Sequence, residues 1–392
     1  MSLTSQFVKI GDRVTSSFQN GLYKPAEDYC DEGTRIVRIN DYDNDGTKKF
    51  NCLRRVLLSE AEIERFGIQR NDILVNRVNS LSHIGKSCIV EDLEDVTVFE
   101  SNMMRLRLPE TSGISPEYLF IVFNSPRARD YFKKVAKPAV AQASINQEDI
   151  RSLAVHLPGL KEQGAIASLL STWDLAIEKG ERLITAKQQL LAVHRDRLQH
   201  KTPQSKRIKL HEATHESTAR NGARLGRDSI MAVTKAVGMR PMKEETIAAN
   251  IERYKVVRPK GFAYNPMRLN IGSIAMSPFD ADILVSPDYV VFECDESKLL
   301  PGYLNHLRFS RHWTNYFENA GNGSVRVRIY YDDLAAFAFE LPPVEEQERI
   351  VDFLDAVQLE IDLLKKQAEA YRRQKRGLMQ KLLTGEWRVR LG

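Results

Sequence analysis

Cysteine is scarce: four in 392 residues, Cys30, Cys52, Cys88 and Cys294, with no CxxC pair and no zinc-ligand spacing. A disulfide framework or a zinc-stapled fold is therefore not expected, and reduced thiols are. Long apolar runs are missing too; none is long enough to cross a bilayer. No secretory leader pattern opens the sequence, so a cytoplasmic location is expected. A Ser/His/Asp or Cys/His constellation is absent, which turns attention from catalysis to binding. Strong charge of one sign is absent as well, since the net charge is only +5. That charge is local: residues 201–228 carry +4 and residues 371–392 carry +6, leaving −5 elsewhere. A nucleic-acid surface would have to be a patch rather than a basic shell.

What the chain does have is one statement made twice. Residues 145–201 and 329–385 match at a constant offset of 184. Asp149 falls on Asp333, Leu157-Pro158 on Leu341-Pro342, Glu162-Gln163 on Glu346-Gln347, and Ile166 on Ile350. Each copy reads as a strand, a Leu-Pro stop and a long helix. An internal repeat makes a pseudo-dimer, and a pseudo-dimer suits a target with two halves.

The helices carry the clearest periodicity. In the first, Ile166, Leu170, Trp173, Ile177, Ile184, Leu191 and Leu198 keep alternating three- and four-residue spacing, with Gly180, Lys187 and His194 in the same stripe. In the second, Ile350, Leu354, Val357, Ile361, Leu364, Leu378 and Leu382 do the same, with Ala368, Tyr371 and Lys375 between. A sustained heptad-like seam predicts that the two helices pair as an antiparallel coiled coil. At ~1.5 Å per residue, roughly 40 residues make a rod of about 60 Å. Before each helix lies a segment of mixed α/β character. Strands are expected at 36–39, 72–75, 88–90 and 103–108, and again at 272–276, 282–285 and 289–293. Helices are expected at 116–123 and 127–135 after Ser and Pro starts, with Pro301-Gly302-Tyr303-Leu304 echoing Pro116-Glu117-Tyr118-Leu119. The fold class is α/β (α+β), as a pseudo-twofold repeat of two mixed modules separated by two long helices. The expected divisions are a first module 1–158, first long helix 159–201, polar linker 202–226, second module 227–342, second long helix 343–385 and tail 386–392.

Several motifs suggest chemistry and lack its setting. His211-Glu212-Ala213-Thr214-His215 fits HExxH but falls in the polar stretch, without an apolar helix face to bury it. Gly85-Lys86-Ser87 resembles the end of a P-loop, but Ser80 stands where the first Gly belongs. Gly321-Asn322-Gly323 is a lone GxG. Asn265-Pro266-Met267 falls short of the Asn-Pro-Pro-aromatic motif of amino-methyltransferases. Pro287-Asp288 with Glu296-Ser297-Lys298 fits a nuclease pattern, but its spacing is short and the first module has no equivalent. No metal site and no cofactor site is expected in this chain.

The repeated Leu-Pro-x-x-x-Glu-Gln-x-x-Ile and its long helix resemble the repeats of the specificity subunit of type I restriction–modification systems. The copy from Leu341 to Ile350, closed by Lys381-Leu382-Leu383-Thr384-Gly385, is the closer match; the first has Gly159 and Gly164 where the second has Pro343 and Glu348. Residues 264–272 and 71–86 also look like target-recognition sequence of this family. The resemblance implies two target-recognition domains, each reading one half of a bipartite, asymmetric double-stranded DNA site. It implies two modification subunits, which bring S-adenosylmethionine, and restriction subunits, which use ATP and Mg. On that reading this chain is non-catalytic. The competing readings are a DNA endonuclease or methyltransferase with its own site, and a coiled-coil adaptor without DNA affinity.

Base edges and phosphates are met by Arg, Lys, Asn, Gln and Ser on loops. In the first module these are expected to be Asn76, Arg77, Asn79 and Lys86, with Lys137, Gln142 and Ser144. In the second they are Asn265, Arg268 and Asn270, with Asn322, Ser324, Arg326 and Arg328.

Overall fold

The computed structural model describes residues 7–14, 18–91, 93–139, 142–235, 237–319 and 328–390. The chain divides into two compact units, Met1–Lys179 with Ala368–Gly392, and Gly180–Gln367. Both divisions fall inside the long helices, Leu160–Arg197 and Val344–Leu383, so each unit holds a segment of each helix.

The first unit is built on a four-stranded sheet in the order Phe18–Asn20, Met103–Leu106, Ile73–Asn76, Ser87–Ile89, antiparallel throughout. Side chains alternate across a strand, so one strand serves two cores. Ile73, Val75, Met104 and Leu106 pack with Tyr118, Leu119, Phe123 and Phe132 of the helices Pro116–Phe123 and Pro126–Val135. Leu74, Cys88 and Met103 pack on the other side with Val37, Tyr42 and Phe99. Both helices start as the sequence predicts: Ser115 and Ser125 accept from the third residue on, and Pro occupies the first turn.

The second unit repeats this sheet as Thr214–Glu216, Val290–Cys294, Phe262–Tyr264, Ile274–Met276. Phe262, Tyr264, Ile274 and Phe292 face Tyr303, Leu304, Trp313 and Phe317, while Ala263, Ala275 and Val291 face a separate cluster with Val257 and Val285. Among the described strands pairing is antiparallel except for Thr34–Val37 beside Thr97–Phe99, apart from isolated parallel bridges at Leu22–Glu100 and Ile230–Leu284.

Residues 202–226 are not a plain linker. Lys206–Lys209 pairs with Ala338–Leu341, and Thr214–Glu216 is the edge strand of the second sheet. The first unit pairs Phe7–Lys9 with Ala154–His156 in the same way. The strand character was hidden because edge strands carry Lys and Arg on their free side; of this stretch Ile208, Leu210 and Ala213 join the main core of the unit, and Ala219 and Leu225 pack on a smaller cluster.

The repeated residues hold the repeated joints. Gln163 and Gln347 are fully buried. Gln163 Nε2 donates to Pro158 O (2.8 Å) and Gly113 O (2.9 Å), and its Oε1 accepts from Ser115 N (2.8 Å). Gln347 Nε2 donates to Pro342 O (2.8 Å) and Lys298 O (2.8 Å), and its Oε1 accepts from Leu300 N (2.9 Å). Each Gln thus ties the Leu-Pro stop to the start of its module's helix. Asp149 and Asp333 each accept from the backbone N–H three residues back, at 2.7 and 3.0 Å, closing the short helices Gln147–Arg151 and Tyr331–Ala335.

The helix segments run antiparallel within each unit. In the first, Glu162 meets Arg388 beyond the helix end and Asp174 meets Lys375. In the second, Lys187 pairs with Glu360 at 2.6 Å and the His194 ring lies 4.9 Å from Phe353. Many residues of the expected seam are part of the module cores. Ile166, Leu170 and Leu382 are buried in the first core with Leu378 against it; Leu191, Leu198, Leu354, Val357 and Ile361 are buried in the second with Ile184 and Ile350 against it. Trp173, Ile177 and Leu364 are only half-buried, with Trp173 edge-on to Tyr371 at 5.6 Å. Each helix therefore behaves as a shared wall more than as a free-standing rod.

Candidate nucleic-acid interface

In the first unit the strand Ile73–Asn76 ends in an Asn, in the second Asn265 follows the strand Phe262–Tyr264, and each opens into a loop that carries Arg and Asn. Asn76 N donates to Lys86 O (2.8 Å) and Gly85 N to Asn76 O (3.0 Å), so the loop 77–85 returns tightly on its own strand. Asn265 N donates to Ser273 O (3.3 Å) and closes the loop 266–272 in the same way. Gly85 and Gly272 both take the left-handed conformation, at φ 67° and 85°. At Gly85 a side chain is excluded twice, since a Cβ would also lie 2.2 Å from the Phe132 ring. The repeat then docks on the loop: Ile145 N donates to Arg77 O (2.9 Å), and Ile329 N, 184 residues on, donates to Pro266 O (3.0 Å).

This docking gathers three of the seven expected first-module contacts on one face. Lys137–Ala139 and Gln142–Ser144 form a hairpin whose second strand pairs with Val78–Asn79. Lys137, Ser144 and Val78 are cross-strand partners, and so share one face with Gln142; Lys137 and Gln142 are exposed and Ser144 is half-buried. Asn79 lies opposite buried Ala143, and its side chain accepts from Ser80 N at 2.8 Å. Arg77 is half-buried and donates to Ser101 O at 3.0 Å.

Two expected contacts are interior groups. Asn76 is fully buried, and its Oδ1 accepts from the Tyr42 hydroxyl. Lys86 is 4 % exposed; its ammonium donates to Ile39 O (2.6 Å) and Tyr42 O (2.7 Å) and sits 4.6 Å over the Tyr42 ring. Burial lowers its pKa, and the two carbonyls satisfy it. Spacing alone places both residues on the loop. The sheet register turns Asn76 under it, and the segment 38–49 covers Lys86. That segment was missed from sequence. Arg129 joins it to the loop, donating to Asn44 Oδ1 (3.3 Å) and Ser82 O (3.2 Å). An Arg on an amphipathic helix gives no signal of such a tie.

In the second unit Arg268 and Asn270 are exposed on the loop, and the half-buried Asn265 shapes it by accepting from Met267 N at 2.9 Å. Exposed Arg328 adjoins the docked Ile329 and donates to the Tyr330 hydroxyl at 3.3 Å. Asn322, Ser324 and Arg326 lie outside the described residues. The HExxH residues do not share a helix face: His211 and Glu212 lie in a 3₁₀ turn, and His215 lies on the strand Thr214–Glu216. Among the described residues there is no group of three or more His, Cys, Asp or Glu placed to hold a metal ion. No helix among them is long and apolar enough to cross a membrane.

The family model for the type I restriction modification DNA specificity domain matches residues 3–188 and 247–370. A Methanocaldococcus jannaschii chain named for a type I restriction enzyme MjaX specificity subunit is 27% identical, over 91% of this chain and 87% of its own length. The EcoKI specificity subunit of Escherichia coli K12 is 33% identical over 41% of this chain and 35% of its own length. The crystal structure of the type I restriction–modification S subunit from M. genitalium shares the fold, with TM-score 0.59, 13% identity and 98% of both chains covered. The match of the family model to most of the chain, in both copies of the repeat, makes this protein a member of the type I restriction–modification specificity subunit family.

Proposed function

We propose that each module reads one half of a bipartite, asymmetric DNA site, and that the helix pair sets the spacer and docks two modification subunits. The observation that carries this reading is the pair of equivalent loops. One sheet order and one docking bond, from Ile145 or Ile329, present two loops of unrelated sequence. A constant frame whose tips differ in sequence and each carry Arg and Asn is what two readers of different sequences require. Lys137, Gln142 and Ser144 form the first reading surface, with the half-buried Arg77 and Asn79 on the other face of the same small sheet; Arg268, Asn270 and Arg328 belong to the second, with Asn322, Ser324 and Arg326 assigned to it from the sequence. Asn76, Lys86 and Asn265 shape these surfaces from within. Exposed Leu183 and Leu190, a heptad apart on the first long helix at 44% and 42% exposure, support a protein partner on the helices.

In this reading the chain supplies the address and the modification subunits supply adenine methylation with S-adenosylmethionine. The restriction subunits supply ATP- and Mg-dependent work, all in the cytoplasm. The deciding experiment replaces residues 1–150 with those of another family member, co-expresses a modification subunit and maps methylated adenines. One half-site changes and the other persists; if both halves change together, the two-reader model fails. The purified chain alone neither methylates nor cuts DNA, and turnover by the isolated chain would support the enzyme alternative. Inserting about four helical residues after Lys187 lengthens the helix by ~6 Å and should lengthen the spacer while preserving both half-sites.

A further inference from the structure

The first unit contains an open, mostly polar cleft of about 940 Å³ at the other end of the central strand from the reading loop. Four guanidiniums line it, those of Arg65, Arg70, Arg105 and Arg107, against the carboxylates of Asp72 and Glu110. Two of the arginines are fixed from behind. Arg107 is bidentate on Asp72, with both N···O distances 2.7 Å, and that carboxylate side chain is 1% exposed. Arg105 donates to Gly67 O and to Gln19 Oε1. Burial, and then the positive Arg107 beside it, lower the Arg105 pKa below the ordinary guanidinium value. Arg65 and Arg70 are exposed at the rim. Fixed arginines carrying surplus positive charge in a polar cleft form a seat for an anion with planar oxygen acceptors.

The second unit lacks this seat at the same place. Met104 pairs with Val75 as Val290 pairs with Tyr264, so the sheet register puts Val291 where Arg105 stands and Glu293 where Arg107 stands. Val291 is fully buried, and Glu293 is paired with Arg258 at 3.4 Å. The cleft is therefore not part of the scaffold that the two modules share.

We infer that this arginine cleft binds backbone phosphates of the DNA duplex outside the bases read by the first module. The inference rests on the DNA-reading function proposed above. The five residue steps from Asp72 to Arg77 cover about 17 Å of strand, close to the rise of roughly five base pairs. A duplex contacting the loop has phosphates at that reach. The polar lining favours phosphate over a protein segment, which would have to bury apolar side chains to bind.

The test is the salt dependence of binding of the full chain to a mixed-sequence duplex of roughly forty base pairs, followed by fluorescence anisotropy. Arg65→Gln with Arg70→Gln removes the two rim charges and leaves the fixed pair intact. Losing about two phosphate contacts should flatten the slope of log K against log salt by about 1.8. The affinity loss should be the same for unrelated sequences. Arg65→Lys with Arg70→Lys keeps the charge and should keep most of the slope, which separates a lost contact from a lost fold. An unchanged slope in the Gln variant, with wild type strongly salt-dependent, overturns the cleft and leaves the DNA reading standing. Loss of a modification subunit from the complex at unchanged slope overturns it in favour of a protein contact. Wild-type binding without salt dependence overturns both readings.

Discussion

Where the module helix meets the long helices, the two units use one backbone and opposite chemistry. Counting from the starting prolines of Pro116–Phe123 and Pro301–Leu307 pairs Ile121 with His306, and the 184-residue shift pairs Ser171 with Asp355 and Met379 with Arg195. In the first unit Ile121 and Met379 belong to an apolar core. In the second, His306 is 2% exposed, its Nε2 lies 2.8 Å from Asp355 and its Nδ1 lies 3.3 Å from Arg195. Of the residues that stay the same, Gln163 and Gln347, and Asp149 and Asp333, satisfy backbone groups, while Leu170 and Leu354 pack in the cores beside the seam. Backbone donors and acceptors recur wherever the fold recurs, whereas a packed side chain can be replaced by any neighbourly set that fills the space.

The equivalence is broken most directly at the seam. Leu170 and Leu354 stand 184 apart and are both buried, at 0% and 1% exposure. Either Leu→Ala change leaves a cavity in a module core and should cost about 2–5 kcal/mol. Urea unfolding of the full chain, followed by probes in each unit, checks this. The two losses should be similar and each should appear first in its own unit. A loss at only one of them would show that the seam is structural on one side alone.

The next effect in size belongs to the shared glutamines. Gln163→Leu or Gln347→Leu keeps the volume but leaves a backbone N–H and two carbonyls without their partner. The expected cost is about 1–3 kcal/mol. Hydrogen exchange should quicken at Ser115 in the first variant and at Leu300 in the second, each without affecting the other. Protection unchanged at both would mean that the Leu-Pro joint is held by packing rather than by these bonds.

The frame was legible because it is periodic and duplicated. The helices 116–123 and 126–135 announced themselves by Ser-Pro starts, and the long helices by their stripe. What the sequence concealed is decided by register and by contacts distant in the chain. Lys206–Lys209 reads as a charged linker because an edge strand needs few apolar residues. Asn76 reads as a loop contact, but the strand runs one residue further and turns it inward, where Tyr42 meets it. Lys86 is solvated by two carbonyls from residues 39 and 42, a covering that no local pattern reveals. The arginine cleft draws on residues as far apart as Gln19 and Glu110, and its absence from the same place in the second unit emerges only when the two sheets are aligned strand by strand.

The smallest expected effect tests whether the histidine node matters to the second unit. His306 has a pKa lowered from its ordinary value of 6.5, by burial first, with Arg195 and Arg308 also opposing the charge and the hydrogen bond to Asp355 favouring it. The folded state therefore disfavours the protonated ring. On acidification the unfolded state takes up its proton first, near pH 6.5, so stability is present above that pH and is lost as pH falls through the lowered folded pKa. Hydrogen exchange in Pro301–Leu307 should accelerate between neutral and mildly acidic pH. His306→Ile, which copies the first unit, should flatten that dependence. Any pH response in Pro116–Phe123 would arise separately, from His156, whose pKa burial and Arg388 also lower and Glu162 raises. If His306→Ile left the acid acceleration of Pro301–Leu307 unchanged, the node would be ordinary packing and the two units would differ there only in composition.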